Sequence, residues 1–181
     1  NDPQGGEATV VQVKRFMASQ AIMLAVVGVP GIYFHSLLGS RGWRAGVQQT
    51  GHNRTINRQK FTRTALEAEL ADENSIRNGV FTRYTHLLRI RSAQSAFDPY
   101  GDMQVLEGDE HIFAVIRSSQ QGNPVLCLQN VSPAAQVVDA KWISELGGAV
   151  GRVVDLVSGL KVNGNELTLS PYQTMWLTRL K

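Results

Sequence analysis

The stretch on which the fold turns is Ala21-Ile22-Met23-Leu24-Ala25-Val26-Val27-Gly28-Val29-Pro30-Gly31-Ile32-Tyr33-Phe34. Its first half continues an apolar series, Val10, Val13, Phe16, Met17, Ala21, Leu24 and Ala25, spaced by threes and fours. That spacing predicts a helix with one buried face. Gly28 and Pro30 end it, since glycine favours a helix stop and proline has no N–H to continue the ladder. Ile32-Tyr33-Phe34, set between glycine and a polar segment, reads as a short buried strand. Lys14, Arg15, Gln12, Ser19 and Gln20 interrupt the run from Val10 to Val27, which falls short of the roughly 20 apolar residues a membrane span needs. Asp2 and Glu7 precede the basic pair, unlike the start of a secretory signal.

Downstream of Phe34 the periodicity lapses. From His35 to Lys60, glycines 39, 42, 46 and 51 lie among arginines, amides and Trp43. A connection this long exceeds the usual length of about 4–6 residues and reads as a functional loop. Thr64-Ala65-Leu66-Glu67 has the form of a capping box, and a further helix is expected from about Ser75, with Ile76, Val80, Phe81, Tyr84, Leu87 and Leu88 on one side. After Phe97-Asp98-Pro99 the period becomes two. Strands are expected at 103–106, 111–117, 124–130, 135–139, 152–157, 166–169 and 173–180. Between them stand the turn formers Glu107-Gly108-Asp109, Gln121-Gly122-Asn123, Gly147-Gly148, Ser158-Gly159 and Asn163-Gly164-Asn165.

These elements predict an antiparallel β-sandwich over residues 96–181 and a mixed segment over residues 1–95. A single strand cannot make a sheet, so the first segment fits the last helix-strand-helix unit of a β/α barrel, the rest of which would lie upstream of Asn1. The charge changes at the same point. Residues 1–95 carry 12 Lys and Arg against 6 Asp and Glu, whereas the remainder carries 6 against 9. Between Glu7 and Glu67 there is no acidic residue but eight basic ones, a field that attracts an anion. A solvated basic loop or a nucleic-acid patch is the competing reading of charge alone.

The composition of the 181 residues, 43% hydrophobic and 18% charged, is that of an ordinary globular protein. The lone Cys127 excludes an internal disulfide framework and suits a reducing compartment, so the cytoplasm is expected. His86 and His111 have no paired ligand at metal-binding spacing, and neither a glycine-rich nucleotide fingerprint nor a Gly-x-Ser-x-Gly elbow occurs. No metal, cofactor, nucleic acid or membrane partner is expected. Trp142 and Trp176 are assigned to the sandwich core, while Trp43 in the long loop is suited to stack on a sugar face.

Gly28-Val29-Pro30-Gly31-Ile32-Tyr33 resembles the segment at the eighth barrel strand of the α-amylase superfamily of glycoside hydrolases and transglycosidases. Phe34-His35-Ser36-Leu37-Leu38-Gly39-Ser40-Arg41 and Asn53-Arg54-Thr55-Ile56-Asn57-Arg58 resemble its sucrose phosphorylase branch, including the glucosylglycerate-specific relatives. Leu169-Ser170-Pro171-Tyr172-Gln173, through Leu177, resembles the end of the superfamily's C-domain. Where many amylases have Gly and an acidic residue after the strand, His35 and Ser36 stand here, which disfavours a starch hydrolase.

The resemblance implies a glycosyltransferase of the phosphorylase kind, acting with retention. A barrel aspartate attacks the anomeric carbon of sucrose or a related glucoside, a glutamate protonates the leaving group, and inorganic phosphate takes the glucosyl unit. Retention needs two carboxyl groups about 5–5.5 Å apart, and the loop from His35 to Lys60 has no carboxylate. Glu67, Glu69, Asp72 and Glu73 read as a solvated helix face. No catalytic residue is therefore expected in this chain, which would be inactive alone and act as part of a longer enzyme. Within Ile56-Asn57-Arg58, Arg58 matches a family arginine that pairs with an aspartate from another loop and binds the glucosyl unit. Asn57 and His35 are further substrate-contact candidates, and Arg54 and His52 are candidates for phosphate or acceptor contacts. For His35, Arg54 and His52, structural hydrogen bonding is the competing role. A hydrolase or transglucosidase of the same superfamily and a non-catalytic carbohydrate-binding module stay open as alternatives, although a sandwich module has no use for Gly28 to Tyr33 together with Asn53 to Arg58.

Overall fold

A computed structural model describes residues 6–146, 152–162 and 166–180. It divides into two compact units, one of residues 1–16 and 31–84, the other of residues 17–30 and 85–181. Helix α1 spans Thr9–Ala25. Its buried face is Val13, Met17, Ala18, Ala21, Leu24 and Ala25, much as the spacing predicts, although Val10 is exposed. No helix among the described residues is long and apolar enough to cross a membrane.

In the first unit the expected strand at Ile32-Tyr33-Phe34 does not form. Tyr33 is extended, with φ −78° and ψ 139°, but Phe34 already opens helix α2, Phe34–Leu37. A strand exists by its hydrogen-bonded neighbours, and no strand among the described residues runs beside this one. The strand of the barrel unit read from the sequence is thus not seen among the described residues. The long loop holds helical turns instead: α3 at Arg44–Thr50 and a 3-10 turn at Asn53–Asn57. Gly51 closes α3 in the left-handed region at φ 68°. Helix α4, Arg63–Ala71, is capped two residues earlier than expected, the Thr62 hydroxyl accepting from Ala65 N at 3.3 Å. Helix α5 follows at Ile76–Ala93.

The second unit is mainly antiparallel sheet. All seven expected strands form: β1 Asp102–Val105, β2 Ile112–Ser118, β3 Val125–Asn130, β4 Gln136–Val138, β5 Val153–Asp155, β6 Leu167–Leu169 and β7 Thr174–Arg179. Five make one sheet in the order β1-β2-β3-β7-β5, and β4 pairs with β6 in a second. Helix α6, Ala140–Glu145, has no counterpart in the sequence reading. The turns at Gly147-Gly148 and Asn163-Gly164-Asn165 lie outside the described residues. Between the two sheets, Ala114, Ile116, Leu126, Leu128, Met175 and Leu177 meet Val138 and Leu169, with Trp142 and Ile143 of α6 filling the same core. Asn130 joins the sheets, donating from Nδ2 to the Leu169 and Ser170 carbonyls at 3.2 and 3.0 Å.

Alternation along the strands puts Val115, Arg117, Val125, Cys127 and Trp176 on the opposite face of the large sheet. Trp176 is buried there against Phe97, with ring centroids 4.7 Å apart, so it belongs to this second core, away from Trp142. Burial pushes the Cys127 thiol far above its ordinary pKa. Arg117 is fully buried. Its Nη1 donates to the carbonyls of Ala25 (3.0 Å) and Val26 (2.9 Å), Nη2 to Asp98 (2.8 Å) and Nε to Asp102 (3.1 Å). Arg91 adds bonds from Nε to Leu24 and from Nη2 to Gly28, at 3.0 and 2.9 Å. Together they satisfy carbonyls at the end of α1 that no later helical turn can reach.

Arg117→Met keeps much of the volume but leaves the Ala25 and Val26 carbonyls without their donor, while the Asp98 carbonyl keeps the Gly101 amide at 2.9 Å. We expect it to cost about 3 kcal/mol or more, since each unpaired buried polar group costs roughly 1–3 kcal/mol. Urea denaturation followed by tryptophan fluorescence measures this. A variant as stable as the wild type would show that the guanidinium is dispensable.

Candidate functional site

The residues singled out in the long loop belong to the first unit, and three of them meet. His52, Arg54 and Arg58 line one cavity of about 400 Å³ with Gly51, Asn53 and Thr55. All three side chains are exposed. The local chain is held by short-range bonds. The Thr50 hydroxyl donates to the Gly46 carbonyl at 2.8 Å, so Thr55 Oγ1, 2.9 Å away, is left to donate to it. Trp43 N donates to the Ile56 carbonyl at 2.7 Å, closing α3 onto the 3-10 turn. A Cβ at Gly46 would stand 2.1 Å from the Trp43 ring. The indole therefore lies directly on this glycine, where any side chain would displace it.

Among the described residues, neither Arg54 nor Arg58 has an ion-pair partner. A guanidinium is a fixed fork of donors suited to sugar hydroxyls, carboxylates and phosphate alike. Asn57 enters differently. Its carbonyl accepts from the Tyr33 hydroxyl at 2.7 Å, tying the segment before α2 to the 3-10 turn.

His35 lies outside that cavity, in a cluster of rings. Tyr33, Phe34 and Phe61 stand 5.4, 5.5 and 5.4 Å from it between centroids. Its Nδ1 is 3.0 Å from Ser40 Oγ, to which Arg77 Nη1 donates at 2.8 Å. Arg77 also stacks on Phe61, 4.3 Å from the ring centroid, and pairs through Nε with Glu69. Glu69 is therefore an ion-pair member, where the sequence reads as a solvated face; Glu67 does keep to that face, pairing with Arg63 one turn away. Ser40, Phe61, Glu69 and Arg77 carry no local signal in the sequence, because each meets its partner across a loop or a helix break. Gly39, at φ 59° and with Val80 Cγ2 only 2.7 Å from where its Cβ would be, sets the turn that presents Ser40. Among the described residues no group of His, Cys, Asp or Glu could hold a metal ion.

No protein-family model matches the chain. It is 43% identical over 176 residues to the glucosylglycerate phosphorylase of Spirochaeta thermophila, covering 92% of this chain and 30% of that one. It is 37% identical over 163 residues to the glucosylglycerate phosphorylase of Escherichia coli, covering 90% of this chain and 28% of that one. Over nearly its whole length this chain is similar to part of the glucosylglycerate phosphorylases. It spans about 30% of the length of these relatives. In structure it is similar to AmyP solved in complex with maltose, at TM-score 0.65 and 16% identity, over 98% of this chain and 36% of that one. It is also similar to the cyclic α-maltosyl-(1→6)-maltose hydrolase of Arthrobacter globiformis, at TM-score 0.62 and 18% identity, over 92% and 30% of the two chains. The expected likeness to glucosylglycerate phosphorylases is borne out, and the fold, which mixes helices and antiparallel sheet, is shared with these two structures.

Burial and, secondarily, the positive charge of Arg77 hold the His35 pKa below its ordinary 6.5. The unfolded chain then takes up the proton first. His35 should thus contribute no penalty above pH 6.5, and stability of the first unit should fall as pH drops through that value toward the folded pKa. An NMR titration should place the His35 midpoint below 6.5, and Arg77→Met should raise it. A midpoint at or above 6.5 in the wild type would contradict the described environment.

Proposed function

We propose that the chain is part of a retaining glucoside phosphorylase that transfers a glucosyl unit from glucosylglycerate, or a related glucoside such as sucrose, to inorganic phosphate. The observation that carries this reading is the 43% and 37% identity to two glucosylglycerate phosphorylases across nearly the whole chain. On this reading residues 1–95 complete a β/α barrel and residues 96–181 form its C-domain. The nucleophilic aspartate and the acid/base glutamate stand on barrel strands outside this chain, because the loop that lines the site here has no carboxylate. The work of this chain is positioning.

Arg58 takes the glucosyl unit and an aspartate from another loop. Paired in that way, its charge is largely neutralised, and its donors orient hydroxyls. Arg54, on the same cavity as His52, keeps its charge for the phosphate dianion, and the Asn57 carbonyl, accepting from the Tyr33 hydroxyl, holds the backbone before Arg58. Holding a donor in attack geometry is worth several kcal/mol.

In the complete enzyme, Arg58→Ala should depress formation of the glucosyl-enzyme by about 10²-fold or more, whatever the acceptor. Arg54→Ala should chiefly raise the KM for phosphate. Single-turnover kinetics with glucosylglycerate separates the two steps. Intact donor cleavage in the Arg58 variant, with only phosphate-dependent turnover impaired, would exchange the two assignments. The 181-residue chain by itself should release no glucose 1-phosphate from glucosylglycerate and phosphate, and turnover above background would place catalytic carboxylates within it.

A further inference from the structure

His35 lies at the end of a chain of polar contacts whose directions can be worked out. Arg77 has only donors, so the bond from its Nη1 to Ser40 Oγ, at 2.8 Å, uses the hydroxyl as acceptor. Nη1 also reaches the Leu38 carbonyl at 3.4 Å, and Nε is held by Glu69, so the guanidinium is fixed on three sides. The Ser40 amide donates to the His35 carbonyl at 2.8 Å, which brings the two residues face to face. The hydroxyl has one hydrogen to give, and His35 Nδ1, 3.0 Å away, is the acceptor among the described residues that can receive it. The opposite arrangement, with Nδ1 donating, leaves that hydrogen without an acceptor there. A nitrogen that accepts bears no proton, so the neutral ring bears it on Nε2.

Nε2 has no partner among the described residues. Around the imidazole ring stand Tyr33 and Phe34, each about half exposed (52% and 53%), and Phe61. An uncharged N–H donor set among aromatic faces suits a neutral sugar, whose hydroxyl oxygen accepts while its C–H face meets a ring. An anion is served worse, because Arg77 is already paired with Glu69 and stacked on Phe61.

We propose that Ser40 and Arg77 are positioning residues that hold His35 as the Nε2–H tautomer, and that this donor, framed by Tyr33, Phe34 and Phe61, takes a hydroxyl oxygen of a sugar. The sugar half rests on the glucoside reading above; the tautomer half does not.

Long-range ¹H–¹⁵N correlation spectra of the ¹⁵N-labelled chain at neutral pH report both. His35 should show a protonated Nε2 and an unprotonated Nδ1. Ser40→Ala should convert it to a mixture of tautomers and Ser40→Thr should restore it, with His52, His86 and His111 unmoved as the control for intact folding. A wild-type ring protonated on Nδ1, or Ser40→Ala spectra identical to wild type, would overturn the positioning. Titration with glucosylglycerate should then shift the His35 Nε2 signal, while inorganic phosphate and glycerate leave it in place. A shift with phosphate alone, or none with glucosylglycerate, would overturn the sugar assignment and leave the tautomer standing. Neither outcome depends on Arg58, so a failure here is separable from a failure of the proposed function.

Discussion

The second unit depends on how a helix cut short by glycine and proline disposes of its last carbonyls. Gly28 and Pro30 stop α1 abruptly, and no later helical turn donates to the carbonyls of Leu24, Ala25, Val26 and Gly28. Arg117 and Arg91 take all four. No carboxylate is needed to offset Arg117, because the carbonyl end of a helix is itself partly negative, and two more carbonyls, of Asp98 and Asp102, complete the ring of acceptors. Phe97, with Arg117 5.8 Å and Arg91 5.6 Å from its centroid, supplies the apolar wall. A lysine could occupy the space, but its three donors cannot reach four carbonyls at once.

That arrangement explains why the second face of the large sheet tolerates a charge in Ile112-Phe113-Ala114-Val115-Ile116-Arg117-Ser118 and still reads as a buried strand. The strands were legible because turn chemistry and a period of two act over a few residues. Helix α6 was not, since six residues are too few to display a helical period, and its start rests on Asp139 accepting from Lys141 N at 2.9 Å. The segment Ile32 to Phe34 failed for a different reason. Its apolar character speaks for burial, but strandedness is a property of a sheet, and no strand among the described residues lies beside it. The short turns between Phe34 and Asn57 lie below the length at which periodicity can be recognised, and they are set by contacts such as Trp43 against Gly46.

The site was legible in part, and along the same line. His52, Arg54 and Arg58 come within one short segment, so a motif six or seven residues long could hold them together, and they do share a cavity. The route from Glu69 through Arg77 and Ser40 to His35 spans three helices and a loop. Residues up to about forty positions apart meet there with no pattern to announce it. Such contacts are fixed by tertiary packing, which local sequence does not encode.

Sequence alone showed a long basic interval and could not rank its members. The structure ranks them by what each charge already does. Arg15 is paired with Glu7, Arg41 donates to Gln12, and Arg63 is paired with Glu67. Each would have to surrender a bond to serve a ligand. Arg54 and Arg58 have no such commitment among the described residues, and they face one cavity. At Arg54 a ligand oxygen displaces only solvent, so its binding energy is not spent on breaking an existing pair, whereas the reading proposed for Arg58 has it pair with an aspartate from another loop. Two arginines four residues apart, fixed by the Thr50–Thr55 and Tyr33–Asn57 bonds, also cost less entropy to order than loop arginines on a mobile backbone. The selectivity of the loop therefore lies less in its total charge than in which charges the fold has left unspent.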